Sequence, residues 1–600
     1  MKTLSFYPSY DFSSHDLNLS LVENSNILYS YEESKLSKAL HREAKFFPDR
    51  TILNCFNTLK ILPKEIDQVC IVGGKNSKLI KPFLWNIEKY FGLNKKMIIC
   101  DHHKAHTSLS VFTSNFKECL YWTLDAGGEN NKYGEFGVYE SKKIRTLDRL
   151  SSASLPTFYY HLTGAAGFSD FEEGKLMGLS GYGEIKKNLL KKFGELFKSD
   201  ENENMIYNSG SSFSYPLINF DKYNSDLHRP YRIFQYLNRN ISSKLKKITE
   251  GYLPHDIART GQYFCEQKII EILEKKIKKY KIEHNNICLS GGIFLNILIN
   301  KKIKEHFNFN IFVPPAPNDM GLSAGGGLYS NYSNSRNKFY NSRKKNFNPY
   351  TGPSFNNSEI LKEIKKFNLN YKKVKTKSLV ASAARDILSG NIIGWFQGRA
   401  EMGPRALGAR SVLADPRKLE SKIIVNSYLK KRDWFMPYAP SILYEDAKKI
   451  IKNFQDSPYM NIAFKINSKF ESKIPCALHV DKTMRPQVVK DKKSIYYKLL
   501  KEVKKKTGIG CVLNTSFNKH GLPIVSSPRD ALIHLMEGTV QKLYIGDYII
   551  NGIKLKNKSS KRYNLEENVL KSDIRYDYLF NLKKNKELKN IKLIKKKYKI

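Results

Sequence analysis

The chain has 600 residues, 41% of them apolar and 12% aromatic, which is enough for two or three packed cores. No apolar run reaches the roughly 18 residues of a membrane span, no secretory leader opens the chain, and the eight cysteines form no Cys-x-x-Cys pair. Membrane-spanning, disulfide-framework and zinc-ribbon classes are thereby excluded, and a soluble cytoplasmic protein is expected. Lys and Arg number 101 against 57 Asp and Glu, a formal charge of +44. The excess is mostly lysine spread along a chain also rich in Asn, Ile and Tyr, so it reads as codon composition and nucleic acid is not expected as a partner.

In the first hundred residues LNLSLVEN and NILYSYEES predict paired strands, and QVCIVGG and MIICDHH predict later, more buried ones. His15-Asp16 stands just ahead of the first run, where a strand-edge loop can aim a side chain into a cleft. The stretch DHHKAHTSLSVF predicts a helix that places His102 and His106 on one face, four residues apart, the spacing at which two imidazoles grip one metal ion. His103 points about a hundred degrees away. YWTLDAGGENNKYGEFGVYE reads as a strand ending at Asp125, a Gly-Gly-Glu129 turn and a returning strand. Such a turn is either a plain hairpin or resembles the phosphate-facing turn of actin-like ATPases, where the carboxylate binds a metal or its water.

Residues 163–183 set six glycines around Glu172, Glu173 and Lys175, a composition typical of binding loops. IARTGQYFCEQKIIEILEKKIKKY predicts one long amphipathic helix. NNICLSGGIFLNILINKKI then predicts a buried strand, a Ser290-Gly291-Gly292 turn and a helix, an arrangement that offers backbone N–H groups to phosphate. Asp319 is expected at a strand end before Gly-rich backbone. His102, His106, Asp125 and Asp319 together suit iron, zinc or manganese better than calcium.

The polar stretch 336–356 reads as an interdomain linker. Past it, Gly394 to Arg417 interleaves Arg399, Arg405, Arg410 and Arg417 with glycine, alanine and proline directly after the apolar run IIGWF. Guanidinium forks and glycine backbone make good anion-pocket material, and the four arginines are read as such. Further donor-rich loops follow in NSYLKKRDWFMPYAP, HVDKTMRPQVV and CVLNTSFNKHGLPIV, the last presenting Asn514, Thr515, Ser516 and Asn518 after a strand. The tail 555–600 carries fifteen Lys and Arg against five acids and reads as a solvated appendage.

Taken in order, DHHKAH, LDAGGE, EGKLMGLSGYG, CLSGGIFLN, PAPNDMG, GWFQGRAEMGPRALGARSVLADPR, NSYLKKRDWFMPYAPS, HVDKTMRPQVV and VLNTSFNKHGLPIV resemble the NodU/CmcH carbamoyltransferase family over residues 1 to 555. The resemblance implies an α/β protein: a metal-binding transfer domain with a duplicated actin-like ATPase (RNase H-like) fold at 1–335, the linker, a YrdC-like domain at 357–554 and the tail. It implies ATP with Mg²⁺, carbamoyl phosphate, a divalent metal with Fe²⁺ first by family analogy, and the hydroxyl of a small molecule or oligosaccharide as acceptor; it leaves a homodimer open.

By the same resemblance His102, His106, Asp125 and Asp319 bind the metal, and His15 is the base toward the acceptor. Ser290, Gly291, Gly292, Asn296 and Lys175 face the adenylate. Arg405, Lys430, Arg432, Arg485 and Asn514, with the loop of Thr515, Ser516 and Asn518, hold carbamoyl phosphate and nucleotide phosphates. GLSGYG stands where the family has GLAPYG, and the segment before His15 lacks the family's glycine, so an altered acceptor pocket is expected. Two rival readings are a threonylcarbamoyl-type adenylate enzyme of tRNA modification and an inactive nucleotide-binding relative.

Overall fold

A computed structural model describes residues 1–8, 16–38, 47–73, 80–128, 132–168, 171–200, 204–208, 243–343, 346–418, 421, 425, 433, 435–519 and 522–552. His15, Glu129, Lys430, Arg432 and the tail 555–600 lie outside the described residues.

Strands β1 (Lys2–Tyr7), β2 (Asn18–Glu23) and β3 (Asn26–Glu32) form an antiparallel meander. Strands β4 (Gln68–Val72) and β5 (Lys96–Cys100) join beside β1 in parallel, giving the order β3-β2-β1-β4-β5. The pattern then repeats. Strands β6 (Cys119–Leu124), β7 (Gly134–Glu140) and β8 (Lys143–Leu150) make a second meander. After a small hairpin of β9 (Phe197–Ser199) and β10 (Met205–Tyr207), β11 (Asn286–Ser290) and β12 (Asn310–Phe312) add in parallel beside β6. The second order, β12-β11-β6-β7-β8, duplicates the first, so the N-terminal half has the duplicated actin-like arrangement. Every residue of β6 is buried, as expected of a strand covered on both faces.

Two helices fill the space between these sheets. His102–Thr113 packs on β6 and β11, Leu322–Asn334 packs on β1, β2 and β4, and the two helices pack on each other. Three consecutive glycines lie inside the second helix, each costing about 1 kcal/mol of helix propensity relative to alanine. Close approach explains them: a Cβ on Gly325 would lie 2.0 Å from the Ala105 carbonyl oxygen, and one on Gly326 2.2 Å from Val72 Cγ2.

The C-terminal half is built on a mixed eight-stranded sheet. In chain order it contains β13 (Tyr371–Lys373), β14 (Ile393–Phe396), β15 (Arg410–Ala414) and β16 (Ala439–Leu443). A short pair, β17 (Phe464–Lys465) and β18 (Thr483–Met484), stands apart before β19 (Gln487–Val489), β20 (Cys511–Ser516), β21 (Lys542–Ile545) and β22 (Tyr548–Asn551). The spatial order is β13-β22-β21-β14-β15-β20-β16-β19. Trp395 and Phe396, neighbours on β14, enter different cores on the two faces of the sheet. Trp395 joins the helices Thr376–Leu388 and Ile495–Thr507, and Phe396 joins Asn357–Lys366 and Pro528–Met536.

The stretch read as a linker is itself structured. It carries the helix Arg336–Asn341, and Arg343 donates to the carbonyls of Val111 at 3.1 Å and Ser114 at 2.8 Å. Its polarity satisfies backbone carbonyls of the N-terminal half.

Candidate metal centre and anion site

Asp101 caps the helix His102–Thr113, its carboxylate accepting from the N–H groups of His103 at 3.0 Å and Lys104 at 3.2 Å. That start sets His102 and His106 on one face. Asp125 stands just past β6. Asp319 lies in the 3-10 turn Asp319–Gly321, not at a strand end, since β12 closes at Phe312. One ligand atom from each of the four residues can be chosen so that all lie within 4.8 Å of one another. His106 Nε2 is 3.3 Å from Asp125 Oδ2 and 3.5 Å from Asp319 Oδ1, and His102 Nε2 is 3.5 Å from the same Asp319 oxygen.

Among the described residues, three of these atoms, both Nε2 nitrogens and Asp319 Oδ1, are buried without a hydrogen-bond partner. Buried polar atoms left unsatisfied are costly, and a shared cation satisfies all three. Borderline donors of this kind fit a divalent transition ion. Burial lowers the His102 pKa. Burial also acts on His106, but the carboxylates of Asp125 and Asp319 outweigh it and raise that imidazole to about 9. Against burial, His106, His102 and the Gly292 N–H hold the Asp125 carboxyl far below the usual range.

The Ser290-Gly291-Gly292 turn, expected to face phosphate, orients two of these ligands. Ser290 Oγ lies 3.3 Å from His106 Nδ1 and donates to the Pro317 carbonyl at 3.1 Å, while the Gly292 N–H donates to Asp125 Oδ2 at 2.8 Å. Gly291 has φ +99°, and a Cβ there would lie 2.1 Å from the Leu124 carbonyl oxygen, so only glycine fits. Tyr7, which sequence reasoning missed, donates its hydroxyl to Asp319 Oδ2 at 2.9 Å. His103 points elsewhere, between Thr123 Oγ1 and the Lys132 carbonyl, each at 3.1 Å.

Two residues predicted to face adenylate are committed to other partners. Asn296 caps the helix Ile297–Phe307 with its carbonyl and donates its amide to Gln262 at 2.9 Å. Lys175 is buried between Glu172 at 2.5 Å and Asp433 at 2.9 Å, and so joins the two halves.

The arginine stretch divides by the fate of each side chain, which corrects its reading as a pocket of four arginines. Arg399 donates to the carbonyls of Gly352, Leu28 and Thr351. Arg410 is fully buried, lies 3.6 Å over the Phe396 ring and donates to the carbonyls of Gln397, Ala409, Pro353 and Gly398. Arg417 pairs with Asp415 at 2.7 Å. These three are structural. Among the described residues, Arg405 meets neither an acid nor an acceptor, its Nε is buried, and burial pushes its pKa down to about 10.

The loop that presents Arg405 is held at several backbone polar groups on either side of it. Glu401 Oε1 accepts from the N–H groups of Leu407 at 2.7 Å and of Ala409 and Arg410 at 3.1 Å. Asn514 donates to the Ala406 carbonyl at 3.0 Å, and Gln487 and Tyr350 donate to the Leu407 carbonyl at 2.6 and 2.7 Å. The amide nitrogen expected of Asn514 as a substrate donor is thus spent on the loop, and its Oδ1 is buried without a partner among the described residues. Ser516 donates to Asn518 at 2.7 Å within a local turn, and Thr515 lies half-buried on β20 opposite Val412. Arg485, half-buried, stands two residues before Gln487. Glu401, Gln487 and Tyr350 were missed; a lone glutamate among arginines and glycines was the available signal for the first of them.

Two family models match the chain, Carbamoyltransferase N-terminus over residues 75–328 and Carbamoyltransferase C-terminus over 384–552. An uncharacterised protein of Methanocaldococcus jannaschii is 31% identical over 90% of this chain and 98% of its own length. Nodulation protein NolO of Bradyrhizobium diazoefficiens is 30% identical over 75% of this chain and 78% of its own. Among solved structures, HypF of T. kodakarensis is 14% identical over 55% of this chain and 48% of that one, with a TM-score of 0.30, a likeness too slight to add to the topology described. Both halves of the chain thus match, in order and with the His, Asp and Arg positions inside the matched spans: the chain belongs to the carbamoyltransferase family and is a carbamoyltransferase.

Proposed function

We propose that the protein is an ATP-dependent O-carbamoyltransferase with two chemically distinct sites. In the C-terminal half water cleaves carbamoyl phosphate to carbamate and phosphate, and the carbamate oxygen then attacks the α-phosphorus of ATP, displacing pyrophosphate and forming carbamoyl adenylate. The N-terminal half transfers the carbamoyl group to a hydroxyl of a sugar-containing or natural-product acceptor, with AMP as leaving group. The supporting observation is the contrast between a largely buried cluster of two imidazoles and two carboxylates and a half-buried arginine, its Nε buried, that no acid among the described residues neutralises.

Arg405 would hold the phosphate of carbamoyl phosphate, its fork matching two oxygens of the anion. The held loop keeps that guanidinium in place, so little reorganisation accompanies charge development. His102, His106, Asp125 and Asp319 would hold a divalent ion, Fe²⁺ by family analogy or Zn²⁺ or Mn²⁺, which when bound supplies the positive charge that polarises a phosphate or carbonyl oxygen. Ser290 and Gly292 fix the rotamers of His106 and Asp125. The acceptor hydroxyl attacks the carbamoyl carbon and gives up its proton, for which His15 is the proposed base.

The test separates the two half-reactions. Incubated with ATP, Mg²⁺ and carbamoyl phosphate, the enzyme is expected to release pyrophosphate and yield carbamoyl adenylate by mass detection. Arg405→Ala is expected to lose both signals, and His106→Ala to keep them while losing bound metal. Failure of the unsubstituted enzyme to release pyrophosphate while ATP still binds would sink the activation step.

A further inference from the structure

Glu32 ends β3 and Lys35 lies in the short helix that follows, both in the N-terminal half. Their side chains form a 2.7 Å ion pair and are 1% and 6% exposed. The pair grips one glycine of the other half from both sides: Glu32 Oε1 accepts from the Gly403 N–H at 3.1 Å, and Lys35 Nζ donates to the Gly403 carbonyl at 2.7 Å. Gly403 has φ +85°, and an added Cβ would lie 2.4 Å from the Pro315 carbonyl oxygen. The glycine is therefore wedged between the ion pair and the segment that leads to Asp319, with no room for a side chain.

Arg405 follows two residues later, after Pro404, whose ring fixes one backbone angle. Downstream the loop is held by Glu401, Asn514, Gln487 and Tyr350, which do not belong to the N-terminal sheets. Upstream, its hold on the Gly403 peptide groups comes from Glu32 and Lys35. A buried ion pair usually recovers no more stability than well-packed apolar side chains, so stability alone is a weak reason for one here. Fixed direction at a chosen backbone point is what two opposed charged groups supply and an apolar pair does not. The C-terminal half in turn holds the pair: Ser526 donates to the Lys35 carbonyl at 2.7 Å, and Asp530 pairs with Lys38 at 2.6 Å.

We propose that Glu32 and Lys35 are positioning residues for Arg405, so that the anion site of the C-terminal half is completed by the N-terminal half. The inference rests on the reading of Arg405 as the residue that holds the carbamoyl phosphate anion.

The test uses the full-length double variant E32Q/K35M, which removes both charges and leaves no lone buried ion, with Arg405→Ala as reference. Far-ultraviolet circular dichroism and bound metal are expected to stay at the wild-type level. The KM for carbamoyl phosphate in pyrophosphate release is expected to rise about 10- to 100-fold, the usual effect of a misplaced binding group, with the KM for ATP little changed. A second readout needs no turnover: protection of Arg405 by inorganic phosphate against phenylglyoxal, followed by mass spectrometry. Protection is expected in the wild type and lost in the double variant, while E32Q alone, which keeps an acceptor for the Gly403 N–H, is expected to retain most of it. A folded double variant with wild-type KM and wild-type protection overturns the proposal. A wild type that releases no pyrophosphate yet shows phosphate protection that the double variant loses would instead remove the activation reading and leave the positioning role standing. Loss of fold in the double variant, or absence of phosphate protection in the wild type, would count against the role.

Discussion

The two carboxylate oxygens of Asp319 have different partners: Oδ1 faces His102 and His106, and Oδ2 accepts from Tyr7 at 2.9 Å. Hydrogen bonds of this sort orient a ligand, and losing one typically costs about 10- to 100-fold in metal affinity. Tyr7→Phe keeps the ring and removes the bond, and Ser290→Ala does the same for His106. Each is expected to lose metal about tenfold more readily in competition with a chelator, read as residual metal per chain; wild-type retention in both would mean that these bonds do not orient the ligands. The four residues of the candidate metal cluster could be picked out because each signal is local: two histidines four apart behind a capping Asp, one Asp after a strand, one Asp before glycines. The fates of the arginines could not. Arg399 reaches the carbonyl of Leu28 and Arg410 that of Pro353, and no spacing within the stretch encodes an acceptor so far away in the chain.

At the scale of elements, the Gly-rich backbone after Asp319 is helix interior in the structure. Intrinsic propensity lost to packing, because only a bare backbone lets Leu322–Asn334 approach His102–Thr113 so closely. Gly325→Ala should therefore destabilise the protein even though alanine is the better helix former: its Cβ would fall 2.0 Å from a backbone oxygen of Ala105, which cannot swing aside as a side-chain tip can. A loss of about 1–3 kcal/mol is expected, the usual range for overpacking, measured from the denaturant midpoint at constant slope. Gly194, at the end of the helix Lys187–Gly194, has nothing within 4 Å of an added Cβ and is the matched control; Gly194→Ala should leave the midpoint unchanged or slightly higher. Equal effects at the two sites would show that the helices separate easily. The strand pattern was more legible than this contact, since the alternation in β2 and β3 and the apolar runs of β4 and β11 are properties of the segments themselves.

For the whole molecule, the two halves are joined by buried polar bonds. Arg399 donates to the Leu28 carbonyl at 2.8 Å, Asn461 donates to the Pro314 carbonyl at 2.6 Å, and Asn300 donates to the Asn461 carbonyl at 2.7 Å. Each buried carbonyl left without its donor costs about 1–3 kcal/mol, and these carbonyls lie where the halves meet, so removing a donor weakens their coupling more than either core. Arg399→Met keeps much of the side-chain volume and strips the bond to Leu28 across the halves together with those to Thr351 and Gly352. Two buried tryptophans report on the halves separately, Trp122 on the N-terminal sheet and Trp395 on the C-terminal one. In chains retaining one or the other as the sole tryptophan, the unfolding transitions should coincide when Arg399 is present, as in a cooperative unit, and separate in Arg399→Met. The surface control is Arg145→Met, whose side chain is 64% exposed and whose pair with Glu140 should contribute almost nothing. If the reporters still coincide in Arg399→Met, the halves are coupled through their apolar contacts, and the arginine stretch serves the anion site alone.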